Sequence, residues 1–148
     1  MDILSKLSER LKELMFECKV TPTKLAQELG VKPSTLYRYL KDERMPTFEY
    51  FIKLVDYFHC SADFLLGLSE YPQSDFRYEK APPFCERFRF LLNTHKISQY
   101  ALHKKTNFSY DNFNKWLHGV TSPYADNLIK LANAFDCSVD YLIGRTDY

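Results

Sequence analysis

Shifted by 77 residues, the chain aligns with itself without a gap. Glu9-Arg10 meets Glu86-Arg87, Leu14 meets Leu91, and Leu25 meets Leu102. Ile52-Lys53-Leu54 meets Ile129-Lys130-Leu131, and Cys60-Ser61 meets Cys137-Ser138. Asp63, Leu65, Gly67 and Tyr71 meet Asp140, Leu142, Gly144 and Tyr148. A period this long marks two copies of one domain, not the short unit of a solenoid. Length alone, 148 residues, would suggest about one domain. The repeat instead gives two of roughly 65 residues, a size that folds alone but marginally. With 45% apolar residues, each copy can bury a compact core without metal or disulfide support.

Within the first copy, Thr21 to Leu40 reads TPTKLAQELGVKPSTLYRYL. Leu25, Ala26 and Leu29 fall on one helical face. Gly30 can then adopt a positive φ and end a short helix. A second helix follows, turning Leu36, Tyr39 and Leu40 inward. Two short helices around a tight turn make a helix-turn-helix, whose second helix lays its first residues against base edges in the DNA major groove.

Leu25, Ala26, Leu29, Gly30, Val31, Leu36 and, further on, Pro46 resemble the helix-turn-helix of the phage-repressor type, the Cro/C1 or XRE family. The second copy resembles it too, through Trp116, Gly119, Pro123 and the run NLIKLANAFDCSVDYLIG from Asn127 to Gly144. Together the two resemblances cover nearly the whole chain. They imply an all-α fold of two tandem five-helix domains, spanning 1–68 and 84–148, with a linker at 69–83. They imply a sequence-specific DNA-binding transcriptional regulator of the repressor kind.

The helical periodicity fits that plan. Leu4, Leu7, Leu11 and Leu14 mark a first helix from about Ile3 to Lys19. Thr21 and Pro22 suit the N-cap and N1 positions of the second helix, and the third runs from about Pro33 to Lys41. Pro46-Thr47 starts a fourth, with Phe48, Phe51, Ile52 and Val55 inward. Ser61 caps a short fifth, with Asp63 in its first turn. In the second copy the helices fall near Phe84–Thr94, Gln99–Thr106, Tyr110–His118, Pro123–Phe135 and Val139–Ile143. Asn107 replaces Gly30 and tolerates the left-handed conformation next best. His103 replaces Ala26, where two helices should approach closely. In the linker, Phe76 and Tyr78 suggest docking on a domain.

Net charge is only +1, less basic than a non-specific nucleic-acid binder usually is. The distribution is more favourable to DNA. Lys19 to Arg44 holds six basic residues and three acidic ones; Lys96 to Thr121 holds four basic residues, one acid and two histidines. The cysteines, Cys18, Cys60, Cys85 and Cys137, form no CxxC pair, and the histidines show no ligand spacing, so no metal or cofactor is expected. Free thiols, with no signal peptide or apolar run of membrane length, point to a reducing cytoplasm. No Gly-rich phosphate loop, GxSxG elbow or HExxH is present, and no enzymatic activity is expected.

The candidate reading residues of the first copy are Pro33, Ser34, Thr35, Tyr37 and Arg38. Arg38 can pair bidentately with guanine. Lys24, Lys32, Lys41 and Arg44 are placed to meet phosphates, which position without reading sequence. In the second copy the equivalents are Tyr110, Asp111, Asn112, Asn114 and Lys115, with Asn114 suited to adenine and Lys115 to guanine. Gln99 stands where the family commonly bonds a phosphate. Asp111 fits better as a helix-start carboxylate than as a base reader. Trp116 is expected in the core.

The expected partner is double-stranded DNA, with no membrane. One chain could act as a pseudo-dimer on two unlike half-sites, and a homodimer stays open. As a free coil, the 15-residue linker would average roughly 20–23 Å and stretch to about 50 Å. The alternative is an interaction module, whose second copy serves dimerisation or partner binding instead of base readout.

Overall fold

The computed structural model describes residues 3–148, and side chains from residue 6 onward. The inward placement expected for Leu4 therefore lies outside the described side chains. Ten helices and no strands are present among the described residues. The chain divides into two compact units, Met1–Phe76 and Arg77–Tyr148.

The first unit contains α1 (Ile3–Cys18), α2 (Pro22–Leu29), α3 (Pro33–Leu40), α4 (Phe48–Phe58) and α5 (Ala62–Leu65). Leu7, Leu11, Leu25, Leu36, Phe51 and Leu54 are fully enclosed. Burying each such side chain stabilises the fold by about 1.5–3 kcal/mol. Ile52 and Leu40 differ from expectation, lying half-buried at the rim. On α4, Leu54 takes the inward position beside Phe51, Val55 and Phe58, and Ile52 turns about 100° per residue off that face.

The second unit repeats the plan with α6 (Phe84–His95), α7 (Gln99–Thr106), α8 (Tyr110–Leu117), α9 (Ala125–Phe135) and α10 (Val139–Ile143). Its core is aromatic. Trp116 packs edge-on against Phe84, Phe88 and Phe108 at centroid distances of 6.0, 5.7 and 5.4 Å.

The backbones repeat in detail. Left-handed residues occur at Lys19 and Lys96, Gly30 and Asn107, Asp42 and Gly119, His59 and Asp136, and Gly67 and Gly144. Each pair is 77 residues apart. Gly30 closes α2 at φ 69° and Asn107 closes α7 at φ 62°, so the exchange keeps the turn. N-caps repeat as well. Thr21 accepts from Lys24 N–H and Ser98 from Ala101 N–H; Ser61 accepts from Phe64 N–H and Ser138 from Tyr141 N–H.

A half-buried arginine stacked on an aromatic ring recurs in each unit. Arg10 lies 4.3 Å over the Phe64 ring, and its repeat partner Arg87 lies 4.8 Å over Tyr141. Burial lowers the Arg87 pKa from the ordinary guanidinium value, opposed by Tyr141, Cys137 and Glu79. It stays cationic at neutral pH.

Residues 69–83 are held against the unit on either side. Pro72 C=O accepts from Ser61 N–H at 2.7 Å, and Phe76 C=O accepts from His59 Nε2 at 2.7 Å. Beyond the division, Glu79 N–H donates to Arg145 C=O at 2.8 Å, and the Arg145 guanidinium stacks 4.0 Å over Tyr78. A free 15-residue coil does not describe this stretch. No helix among the described residues is long and apolar enough to cross a membrane.

Candidate nucleic-acid interface

In the first unit, α3 is held from behind. Leu36 and Tyr39 are buried, and Ser8 Oγ donates 2.6 Å to the Leu40 carbonyl at the helix end. Burying that face fixes which residues stay outside. Pro33, Ser34, Tyr37 and Arg38 are exposed, and Thr35 is half-buried. Lys32 occupies the N-cap, where its ammonium, a donor only, makes no cap bond to the free N–H groups. Lys41 and Arg44 are exposed beyond the helix end. Arg38 is in no ion pair among the described residues. Lys24 differs: its Nζ lies 3.0 Å from Glu28 Oε1, one turn along α2. Both are exposed, and such a pair is worth only about 0.3–0.5 kcal/mol, so a phosphate can compete for the lysine.

The second unit presents α8 in the same way, with different chemistry. Phe113 and Trp116 face inward; Arg89 Nη2 donates 3.1 Å to the Leu117 carbonyl where Ser8 served the first unit. Tyr110, Asp111, Asn112, Asn114 and Lys115 are exposed, as is Gln99 at the first turn of α7. Ser109 caps α8 by accepting from Asn112 N–H, replacing the uncapped Lys32. Lys115 Nζ, however, lies 3.1 Å from Asp111 Oδ2. The one cation on this helix face is thus partnered by the one anion.

His103 is accommodated by a paired exchange. Its ring stacks on Tyr110 at 4.8 Å, and its Nδ1 lies 2.7 Å from Phe108 C=O, a bond that requires the proton on Nδ1. Tyr110 stands where the first unit has Pro33, so two changed residues meet across the turn. The other histidines are also bonded inside the protein: His59 to Phe76 C=O, His95 to Tyr141 Oη and His118 to Asn114 C=O. Among the described residues no group of three or more His, Cys, Asp or Glu could hold a metal.

Two exposed side chains lie outside the residues singled out from the sequence. Lys104 lies over the exposed Tyr100 ring at 5.5 Å, on the first two turns of α7. An i, i+4 Tyr–Lys pair was the available signal. Exposed Tyr124 stands at the N-cap of α9 without a side-chain cap bond, in place of the capping Thr47.

Comparison with known proteins agrees with this geometry. A family model described as helix-turn-helix matches residues 11–65, and one described as a Cro/C1-type HTH DNA-binding domain matches residues 87–147. The chain is 33% identical over 64 residues to the uncharacterized HTH-type transcriptional regulator YobD of Bacillus subtilis (strain 168). That alignment covers 43% of this chain and 57% of the relative, so the chain spans just over half the relative's length. No solved structure matches. The matches support a DNA-binding regulator. With α2–α3 and α7–α8 each forming a helix-turn-helix, the chain belongs to the Cro/C1-type helix-turn-helix family and carries two of its domains in tandem.

Proposed function

We propose that the protein is a sequence-specific regulator, a repressor, that reads double-stranded operator DNA chiefly through α3 of its first unit. The observation that carries this is the contrast at one repeat position. Arg38 is exposed and outside every ion pair among the described residues, whereas its equivalent Lys115 is bound to Asp111. A free guanidinium on the outer face of a helix held from behind has the geometry for bidentate guanine pairing. Ser34, Thr35 and Tyr37 supply further donors, and Lys32, Lys41 and Arg44 supply phosphate contacts. In the second unit, Asn114 is the base reader, and Gln99, Tyr110, Asn112 and Lys115 position the backbone.

The Asp111–Lys115 pair favours a second reading for that unit alone. It leaves the outer face of α8 with no net formal charge, and the unit then serves partner or self-association while the first unit reads DNA. Selection from random double-stranded DNA, followed by gel shift, tests the proposal. Enrichment of a defined site supports it; binding that stays indifferent to sequence at every salt concentration contradicts it.

A further inference from the structure

At one place away from α3 and α8, the two copies differ in a concerted way. Where α2 ends beside α4, the first unit has Glu28, Leu29, Lys53, Asp56 and Tyr57. The equivalents are Lys105, Thr106, Lys130, Asn133 and Ala134, and these line a cavity of about 470 Å³. Leu29→Thr106 and Tyr57→Ala134 remove bulk, which opens the space. The same exchange turns the formal charge from −1 to +2.

The lysines also trade roles. In the first unit, Lys53 Nζ on α4 donates to Leu29 C=O at the end of α2, at 3.2 Å. In the second, Lys105 on α7 donates instead to Ala134 C=O at the end of α9, at 3.3 Å. Lys130, the equivalent of Lys53, is thereby released and stands 5.6 Å from the Phe108 ring centroid. Neither lysine is in an ion pair among the described residues. The C-terminal ends of α7 and α9 bring about half a negative charge each, which two lysines more than offset. The Thr106 hydroxyl is already committed, donating to Leu102 C=O and accepting from Phe108 N–H. Asn133 is exposed and offers amide donors.

We propose that this cavity binds a compact, multiply charged oxyanion, either a phosphate species or a polycarboxylate. Lys105 and Lys130 are the counter-ions and Asn133 the amide donor. The volume falls within the roughly 300–1,000 Å³ of small-molecule sites. The inference does not depend on whether the second unit touches DNA.

The test is an NMR titration of the ¹⁵N-labelled full chain with inorganic phosphate and, separately, citrate, at constant ionic strength. Saturable shifts confined to residues 105, 106, 130, 133 and 134 are expected, and the probe that saturates first names the class. Lys105→Glu changes an exposed side chain and should weaken binding more than about tenfold. Ala134→Tyr restores the first unit's ring and should abolish it, with the spectrum of the first unit unchanged. Shifts that rise without saturating for both probes, or that survive Lys105→Glu, would overturn the proposal.

Discussion

The Lys115 ammonium lies 3.1 Å from the Asp111 carboxylate, one turn earlier on the same outer face of α8. In the first unit these positions are Arg38 and Ser34, which cannot form an ion pair. One fold therefore presents two electrostatically different faces.

Asp111→Asn should release Lys115 and remove a carboxylate from the helix start. If the second unit meets DNA, affinity rises at low salt for all sequences alike, and the salt slope steepens by about one unit. The lost pair and helix-start charge should lower stability by no more than about 1 kcal/mol. Fluorescence anisotropy over a salt series reads the affinity. An unchanged slope assigns the second unit to partner binding instead.

Lys32→Ala should weaken binding to specific and random DNA by the same factor and flatten the salt slope by about one unit. Lys24→Ala should do the same less strongly, because Lys24 is shared with Glu28. A changed sequence preference in either variant would show that the lysine reads bases.

Arg145→Leu places in the second unit the residue type of its repeat partner, Leu68. Arg145 is fully buried, and its Nη1 donates 2.7 Å to Asp140 Oδ1. Removing one partner of such a pair costs about 3–5 kcal/mol. Trp116, the chain's one tryptophan, lies in the second core, so its fluorescence in a urea titration reports that unit. A midpoint unchanged from wild type would show that the pair adds nothing.

Inserting a Gly-Ser segment between Phe76 and Arg77 should broaden the spacing tolerated between two half-sites. Residues on both sides of that point are held by their own unit, through His59–Phe76 and Glu79–Arg145. The insertion lengthens the tether while leaving both faces intact, so base preference should not move and avidity should fall. Selection for paired sites with randomised spacing checks this. Two chains per site in sedimentation would instead point to an ordinary homodimer.

Much of the fold is legible in the sequence because its signals are local. Thr21 and Ser61 cap the helices that their spacing suggests, Ser98 and Ser138 repeat those caps 77 residues on, and Gly30 and Asn107 take the same left-handed turn. What escaped depends on where side chains meet. Asp111 and Lys115 taken singly each face DNA, but their i, i+4 spacing also lets them meet each other. His103 is larger than the alanine it replaces at a helix contact. It fits because Tyr110, across the turn, stacks on it, a contact that only the folded chain brings together. The choice of Leu54 over Ile52 for the core depends on the angle at which α4 meets its neighbours, which periodicity alone leaves open by one residue. Residues 69–83 look like a tether by composition; backbone bonds from Pro72, Phe76 and Glu79 order them.

Base reading by α3 rests on Arg38. Parallel selection from random double-stranded DNA with the wild-type chain and with Arg38→Ala tests it most directly. Both should enrich related sites, and the variant should lose preference for guanine at one base pair, at a cost of about 1–3 kcal/mol there. Identical sites and equal affinities for the two proteins would contradict it.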